Sequence, residues 1–143
     1  MGRILGIDYG DTRIGLALSD RKRSISFPYK TLKNKNEAFI TDNIKNIIIE
    51  KDIEYLVLGL PIGLNGNDTQ QTKKVRKFAD ILKNFKKPVY LHDERLSSVS
   101  AKKSLVLDNI KTGYSKDKID VRAATILLQH YIDCKNTNNA IIK

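Results

Sequence analysis

The amino-acid sequence predicts an α/β fold: a mixed five-stranded sheet, three antiparallel strands followed by parallel strands, flanked by helices. Two observations predict it. Near the N-terminus, two short apolar runs are separated by a tight polar turn, which is the pattern of a β-hairpin. Further along, apolar runs alternate with amphipathic stretches, and strands separated by helices pair in parallel through right-handed crossovers.

The first two strands, residues 3–10 and 14–18, are predicted to pair as a hairpin. The first run ends on Asp8, and a charge at the end of a buried strand is costly unless it has a partner or binds a metal. A turn-capping role for Asp8 is equally open. Gly10 permits a positive φ or a close approach of another group. Tyr9, between them, is open both to base stacking and to packing.

The next segment predicts an edge strand, a helix and a buried strand. Pro28 interrupts the third strand, residues 24–32, and a proline favours the edge of a sheet. Asn36 is a candidate N-cap for a helix over about 37–51. The apolar run 55–59 predicts the fourth strand, which leads into a glycine-rich loop.

A second helix and a fifth strand complete the predicted sheet. Asp68 or Thr69 is expected to cap the helix, and residues 88–92 predict the strand. The carboxyl ends of parallel strands form the edge at which sites of such sheets lie. The buried stripe of the helix is expected to consist of Val75, Phe78, Ala79 and Leu82.

The remaining part of the chain predicts helices separated by a polar stretch. Ser97 or Ser98 can start one helix, and the polar stretch covers residues 108–118. The last helix is predicted over about 119–133. Residues 135–143 are expected to form a polar C-terminal tail.

Three carboxylates lie at the ends of these elements. Asp8 ends the first strand, Glu94 follows the fifth strand, and Asp120 lies in the first turn of the last helix. Each also has a structural interpretation: a turn cap for Asp8, a surface ion pair for Glu94, and a favourable helix N-terminus for Asp120. Converging carboxylates bind Mg²⁺ or Mn²⁺, and a pair of such ions supports phosphodiester cleavage.

The composition favours a soluble protein with one domain, residues 1–134. Its hydrophobic content of 41% with 29% charged residues is ordinary for a globular chain. A single cysteine, Cys134, excludes an internal disulfide and fits a reducing cytoplasm. We find no membrane-spanning apolar run and no signal-peptide pattern, so a cytoplasmic protein without a membrane partner is expected.

The net charge favours a polyanionic partner. The formal charge is +10, and lysines near phosphates release counterions on binding, so nucleic acid is the expected partner. A bias toward AT-rich codons is an alternative source of this charge, because lysines outnumber arginines 19 to 7.

Several motifs follow one another over roughly residues 3–133 in a fixed order: Gly6-Ile7-Asp8-Tyr9-Gly10, Gly59-Leu60-Pro61 with Gly66, Asp93-Glu94-Arg95-Leu96, and Asp120 with Leu128-Gln129-His130-Tyr131. Together they resemble the YqgF/RuvX-type nucleases of bacteria. That family is described both as nucleases of pre-16S ribosomal RNA and as Holliday junction resolvases, with a ribonuclease H-like fold. The resemblance implies that the family's acidic triad falls on Asp8, Glu94 and Asp120.

The resemblance and the residues together assign roles in this expected site. Asp8, Glu94 and Asp120 would be both the catalytic residues and the metal ligands. Arg13 and Arg95 lie close to them in the predicted fold and could bind the substrate phosphate, with an ion pair to the same carboxylates as the alternative. Gly10 would leave room for that phosphate.

The substrate is implied by the resemblance alone. It favours 5′-end processing of precursor ribosomal RNA, with the ribosome as a possible partner, and branched DNA as the first alternative substrate. A non-catalytic protein that binds RNA or the ribosome is the second alternative. A junction resolvase would need a dimer to cut opposed strands, and the sequence shows no dimer interface.

Overall fold

The computed structural model describes residues 2–96 and 116–142, and within the second range it describes the side chains of residues 121–137. The helix predicted to start at Ser97 or Ser98, and most of the polar stretch after it, lie outside the described residues. The elements are the strands β1 (Arg3–Tyr9), β2 (Arg13–Ser19), β3 (Ser26–Lys33), β4 (Ile53–Leu60) and β5 (Val89–Asp93) and the helices α1 (Glu37–Glu50), α2 (Gln70–Leu82) and α3 (Lys116–Ile142).

The five strands form one mixed sheet in the order β3-β2-β1-β4-β5. The pairs β1–β2 and β2–β3 are antiparallel, and the pairs β1–β4 and β4–β5 are parallel. The predicted mixed sheet is therefore confirmed. β3 is an edge strand, as Pro28 predicts, and its register with β2 shifts between Leu16 and Ala17, next to the proline.

Alternation along the strands divides the core between the two faces of the sheet. Leu5 and Ile7 of β1 pack on the face that α1 and α2 cover, whereas Ile4 packs on the face that α3 covers. Asp8 lies four residues after Ile4 in the same strand, so its side chain is on the same face, the one that α3 covers. Tyr9 lies four residues after Leu5, on the opposite face, and packs against the core under α1 and α2.

Side-chain caps fix the starts of α1 and α2. Asn36 accepts a hydrogen bond from the Phe39 N–H at 2.8 Å. Thr69, not Asp68, caps α2: its Oγ1 accepts from the Thr72 N–H at 3.2 Å, and Thr72 Oγ1 accepts from the Thr69 N–H at 2.9 Å. The predicted stripe of α2 is buried as expected.

The last helix is longer than predicted at both ends. It begins at Lys116 and continues to Ile142, through residues that the sequence assigned to a polar tail. No glycine or proline interrupts residues 116–142, so nothing in the backbone chemistry stops the helix at Asp133. Lys135 also extends along the rings of Tyr55, Tyr90 and Tyr131, with its Nζ 4.9 Å from the nearest centroid.

Candidate active site

Two of the predicted carboxylates lie at the same edge of the sheet. Asp8 is next to last in β1, and Glu94 begins a single 3₁₀ turn directly after β5. Both are charged residues that are almost fully buried, with relative exposures of 3% for Asp8 and 6% for Glu94. Ionisable side chains are rarely buried to this degree unless they are paired or serve a site.

Gly59 of β4 separates these two carboxylates. The register Ile7↔Leu58 places Asp8 beside Gly59, on strands that are about 4.8 Å apart. A Cβ built on Gly59 would lie 2.9 Å from Glu94 Oε1 and 2.8 Å from Leu127 Cδ2 of α3. The carboxylate of Glu94 therefore lies over Gly59, beneath α3. Asp8 and Glu94 thus share one face of the sheet, with only a glycine between them.

The helix α3 crosses this face with its N-terminus directed toward the site. Leu128 packs over Gly6, and Lys135, farther along the helix, reaches Tyr55 near the start of β4. Asp120 precedes Leu127 by seven residues, which is about 10 Å along a helix axis. The backbone of Asp120 is helical, but its side chain lies outside the described residues. Its part in the site stays a prediction.

Gly10 is required by the hairpin itself. A Cβ on Gly10 would lie 2.5 Å from the carbonyl oxygen of Arg13, so any side chain would force the turn open. Its φ is not positive, so the close approach is the reason for glycine and left-handed backbone is not. A contact between Gly10 and substrate stays a prediction.

Arg13 is half-buried at the start of β2. Asp8 pairs directly with Gly15, and Arg13 is two residues from Gly15, so Arg13 and Asp8 lie on the same face. The position is compatible with the predicted phosphate contact.

Arg95 forms an ion pair, and its partner is Asp93. The guanidinium donates to Asp93 from Nη2 at 2.8 Å and from Nε at 3.1 Å, and Nη1 reaches the Gly63 carbonyl oxygen at 3.4 Å. Arg95 holds the pKa of the Asp93 carboxyl below its usual range. Sequence reasoning did not select Asp93, although it lies two residues before Arg95. Arg95 thereby joins the end of β5 to the loop after β4.

A histidine pair beside Glu94 was also missed. His92 Nε2 and His130 Nδ1 are 2.7 Å apart, which links the end of β5 to α3. His92 is buried, and burial, followed by the nearby His130, lowers the pKa of its imidazole. A neutral pair satisfies both atoms, since one ring donates and the other accepts. The 38-residue separation left no local signal in the sequence.

The donor chemistry at Asp8 and Glu94 suits a divalent cation. Carboxylate oxygens are the ligands that Mg²⁺ and Mn²⁺ prefer, and the glycine between the two side chains leaves their oxygens on a shared face. Among the side chains that the structure describes, no three acidic, histidine or cysteine residues are grouped to hold a metal ion. Asp120, whose side chain lies outside this set, stays the predicted third ligand.

No helix within the described part of the chain is long and apolar enough to cross a membrane.

The sheet order and the acidic edge define a ribonuclease H-like fold. Thermus thermophilus RuvC in complex with a Holliday junction substrate matches with a TM-score of 0.61 and 14% identity, over 94% of this chain and 96% of that chain. The fowlpox virus resolvase, solved with Holliday junction DNA, matches with a TM-score of 0.61 and 11% identity, over 93% and 98%. At these identities the likeness concerns the fold.

Sequence comparison identifies the family to which the chain belongs. The RuvX family model, described as "Holliday junction resolvase", matches residues 2–134, and the chain belongs to this family. A Rickettsia typhi protein named "Putative pre-16S rRNA nuclease" is 39% identical over 127 residues, covering 88% of this chain and 81% of the relative. A Clostridioides difficile protein of the same name is 39% identical over 135 residues, covering 94% and 96%.

Proposed function

We propose that this protein is a divalent-metal-dependent nuclease that hydrolyses phosphodiester bonds. The observation that carries the proposal is the placement of two buried carboxylates, Asp8 and Glu94, on one face of the sheet with Gly59 between them. Asp120, which is the fifth residue of α3 and so lies just past the first turn in which the sequence placed it, would supply the third ligand. Membership of a nuclease family supports the same activity.

Some residues of this site would hold the metal ions, and others would bind the substrate. Asp8, Glu94 and Asp120 would hold the cations, which when bound would activate water and stabilise the leaving oxygen. Arg13, on the same face as Asp8, would bind a substrate phosphate. Arg95 is paired with Asp93, so it would contribute to phosphate binding mainly by holding the loop around Gly63 in place.

The proposed substrate is the 5′ end of precursor 16S ribosomal RNA, with the ribosome as the setting. The names of the relatives support RNA, and the formal charge of +10 suits any nucleic acid. Branched DNA is the second candidate, because the family model carries the description of a junction resolvase. The chemistry is the same for both, so the choice must be made by experiment.

The test compares the unmodified protein with Asp8→Asn on three substrates, namely a pre-16S RNA fragment, an unrelated single-stranded RNA and a four-way DNA junction, with Mg²⁺ or Mn²⁺. We expect metal-dependent cleavage of the ribosomal fragment, and a loss of at least about 100-fold in Asp8→Asn. Asp80→Asn is the control, because Asp80 forms an exposed pair with Lys83 and lies away from both carboxylates.

The outcomes separate the candidates. Preferential cutting of the junction would select the DNA resolvase. Nucleic-acid binding with no cleavage, and no Mn²⁺ binding by calorimetry, would select a non-catalytic RNA-binding protein. Full activity in Asp8→Asn would contradict the proposed site whichever substrate is used.

A further inference from the structure

A cavity of about 280 Å³ lies on the opposite face of the sheet from the carboxylates. It is open to solvent and is lined by Tyr9 at the end of β1, by residues around the start of α1 and by one side of α2. Sites for drug-sized ligands span about 300–1,000 Å³, so the volume of this cavity suits a smaller group. Nothing in the proposed hydrolysis uses it.

The floor of the cavity is aromatic. Tyr9 lines it and is half-buried, and Phe78 packs against Tyr9 with a centroid distance of 4.7 Å and an interplanar angle of 39°. Phe78 is only 5% exposed, so it supports the tyrosine ring from within the core. Aromatic rings at a nucleic-acid site provide stacking surfaces for unstacked bases.

The rim of the cavity is polar and mostly basic. Lys74 and Lys77 of α2 lie on one side, and Lys74 pairs with Asp11 at 3.2 Å in an exposed contact of the kind that contributes little to stability. A substrate phosphate could therefore compete for Lys74. Glu37 lies on the other side, and its carboxylate is an acceptor suited to the exocyclic amino group of a base.

The hairpin and the rim are held together in the structure. Asn34 donates from Nδ2 to the Gly10 carbonyl oxygen at 3.0 Å, and its N–H donates to the Thr12 carbonyl oxygen at 2.9 Å. The cavity is thus formed before any ligand binds, which reduces the entropy lost on binding.

The cavity lies close to the proposed cleavage site. Tyr9 follows Asp8 directly, and alternation directs the two side chains to opposite faces at the same end of β1. An RNA strand whose phosphate binds at Asp8 would lie at this end of the sheet, so a neighbouring nucleotide would be near the cavity.

We propose that this cavity binds one unstacked nucleobase of the single-stranded RNA segment next to the cleaved bond. The base stacks on Tyr9, Glu37 accepts a hydrogen bond from its amino group, and Lys74 and Lys77 neutralise the flanking phosphates. Adenine, guanine and cytosine carry such an amino group and uracil does not, so uracil binds most weakly. This inference rests on the proposed nuclease function.

The first test measures binding without requiring cleavage. The ¹⁵N-labelled full chain is titrated with an RNA trinucleotide that has adenine at its centre, and with matched trinucleotides that carry uracil or an abasic residue there. We expect amide shifts concentrated at Tyr9, Asn34, Lys77 and Phe78 with adenine, weaker shifts with uracil and loss of the shifts with the abasic residue. Equal shifts for the adenine and abasic ligands would overturn the base pocket.

The second test uses kinetics on an RNA whose cleavage position has been mapped. Tyr9→Leu should raise KM about tenfold with little change in kcat, which is the scale of losing one stacked base. Tyr29→Leu is the matched control, since Tyr29 is also half-buried and packs against the same core, away from the cavity. Equal KM values for the two variants would overturn the proposal.

The two tests distinguish this pocket from the activity. Normal cleavage by the unmodified protein, with no amide shifts at the cavity, would contradict the base-binding pocket and support the nuclease function. Adenine-dependent amide shifts without cleavage of any substrate would support a base-binding cavity and contradict the proposed nuclease function.

Discussion

Gly59 and Glu94 are matched to one another: a Cβ on Gly59 would lie 2.9 Å from the Oε1 atom of Glu94. Real Cβ atoms do not approach a neighbour that closely, so the carboxylate reaches its position only because β4 has no side chain there. The contact lies beside Asp8, one strand away. The glycine is therefore part of the geometry that brings the two acids together.

Gly59→Ala should impair catalysis more than it impairs folding. The added methyl group displaces the Glu94 carboxylate, and a shift of about 1 Å at a catalytic group can lower the rate roughly 100-fold. The methyl group also meets Leu127 Cδ2 at 2.8 Å, so we expect a loss of about 1–3 kcal/mol in the free energy of unfolding. The measurements are single-turnover cleavage with Mn²⁺ and urea unfolding.

The matched control is Gly6→Ala. A Cβ on Gly6 would meet Leu128 Cβ at 2.8 Å, so this change presses on the same helix without touching Glu94. Its effect on stability should be at least as large, because Leu128 Cβ cannot move away by a change of rotamer as Leu127 Cδ2 can, and its effect on the rate should be much smaller. Equal losses of rate in the two variants would show that disturbance of α3, and not displacement of Glu94, lowers activity.

Local chemistry made much of the fold predictable. The strands were evident as apolar runs, and the caps at Asn36 and Thr69 follow from side-chain oxygens placed before amphipathic stretches. The edge position of β3 follows from Pro28, whose nitrogen cannot donate to a ladder. Each of these signals acts within a few residues, which is why a single sequence reveals it.

Contacts between distant segments could not be predicted in the same way. Neither the approach of Glu94 to Gly59 nor the His92–His130 hydrogen bond leaves a pattern in either local segment. The sequence left Gly10 open to a positive φ or to a close approach of another group, and only the structure shows that the carbonyl oxygen of Arg13 makes that approach. The extra length of α3 was missed because polar residues alone do not end a helix.

The His92–His130 hydrogen bond should contribute to stability and to the position of β5. His130→Ala leaves a buried ring nitrogen of His92 without its partner, which costs about 1–3 kcal/mol in the free energy of unfolding. His130→Asn can place an amide atom near the original Nδ1 position, so it should recover part of this loss. Urea unfolding at pH 7 measures both, and equal losses would argue that packing, not the hydrogen bond, is responsible.

Thr72 joins α2 to the loop that follows β4. Its Oγ1 accepts from the Thr69 N–H at 2.9 Å and donates to the Pro61 carbonyl oxygen, and the residue is fully buried. Thr72→Val keeps the shape and removes these two bonds together with the 3.0 Å contact between Thr72 Oγ1 and Thr69 Oγ1, so we expect a loss of about 1–3 kcal/mol by urea unfolding. Thr125→Val is the control, because Thr125 Oγ1 donates only to the Val121 carbonyl oxygen within α3, a bond that adds little. A similar loss of unfolding free energy in both variants would contradict a special role for the hydrogen bonds of Thr72.

Asp20 should make stability depend on pH below about 4. Its carboxylate accepts from the Ile25 N–H at 3.0 Å, the Ser24 N–H at 2.8 Å and the Ser24 hydroxyl at 2.9 Å, and these bonds lower the pKa of Asp20 from 3.8. A lowered folded-state pKa means that the carboxylate stabilises the fold above pH 3.8, and that this contribution is lost as the pH falls through the folded-state value. Asp20→Asn should therefore cost about 1 kcal/mol at pH 7 and progressively less below pH 3.8 in urea unfolding. Asp80→Asn, at an exposed pair with Lys83, should show no such trend, and a cost for Asp20→Asn that stays constant across this pH range would contradict the role of the charge.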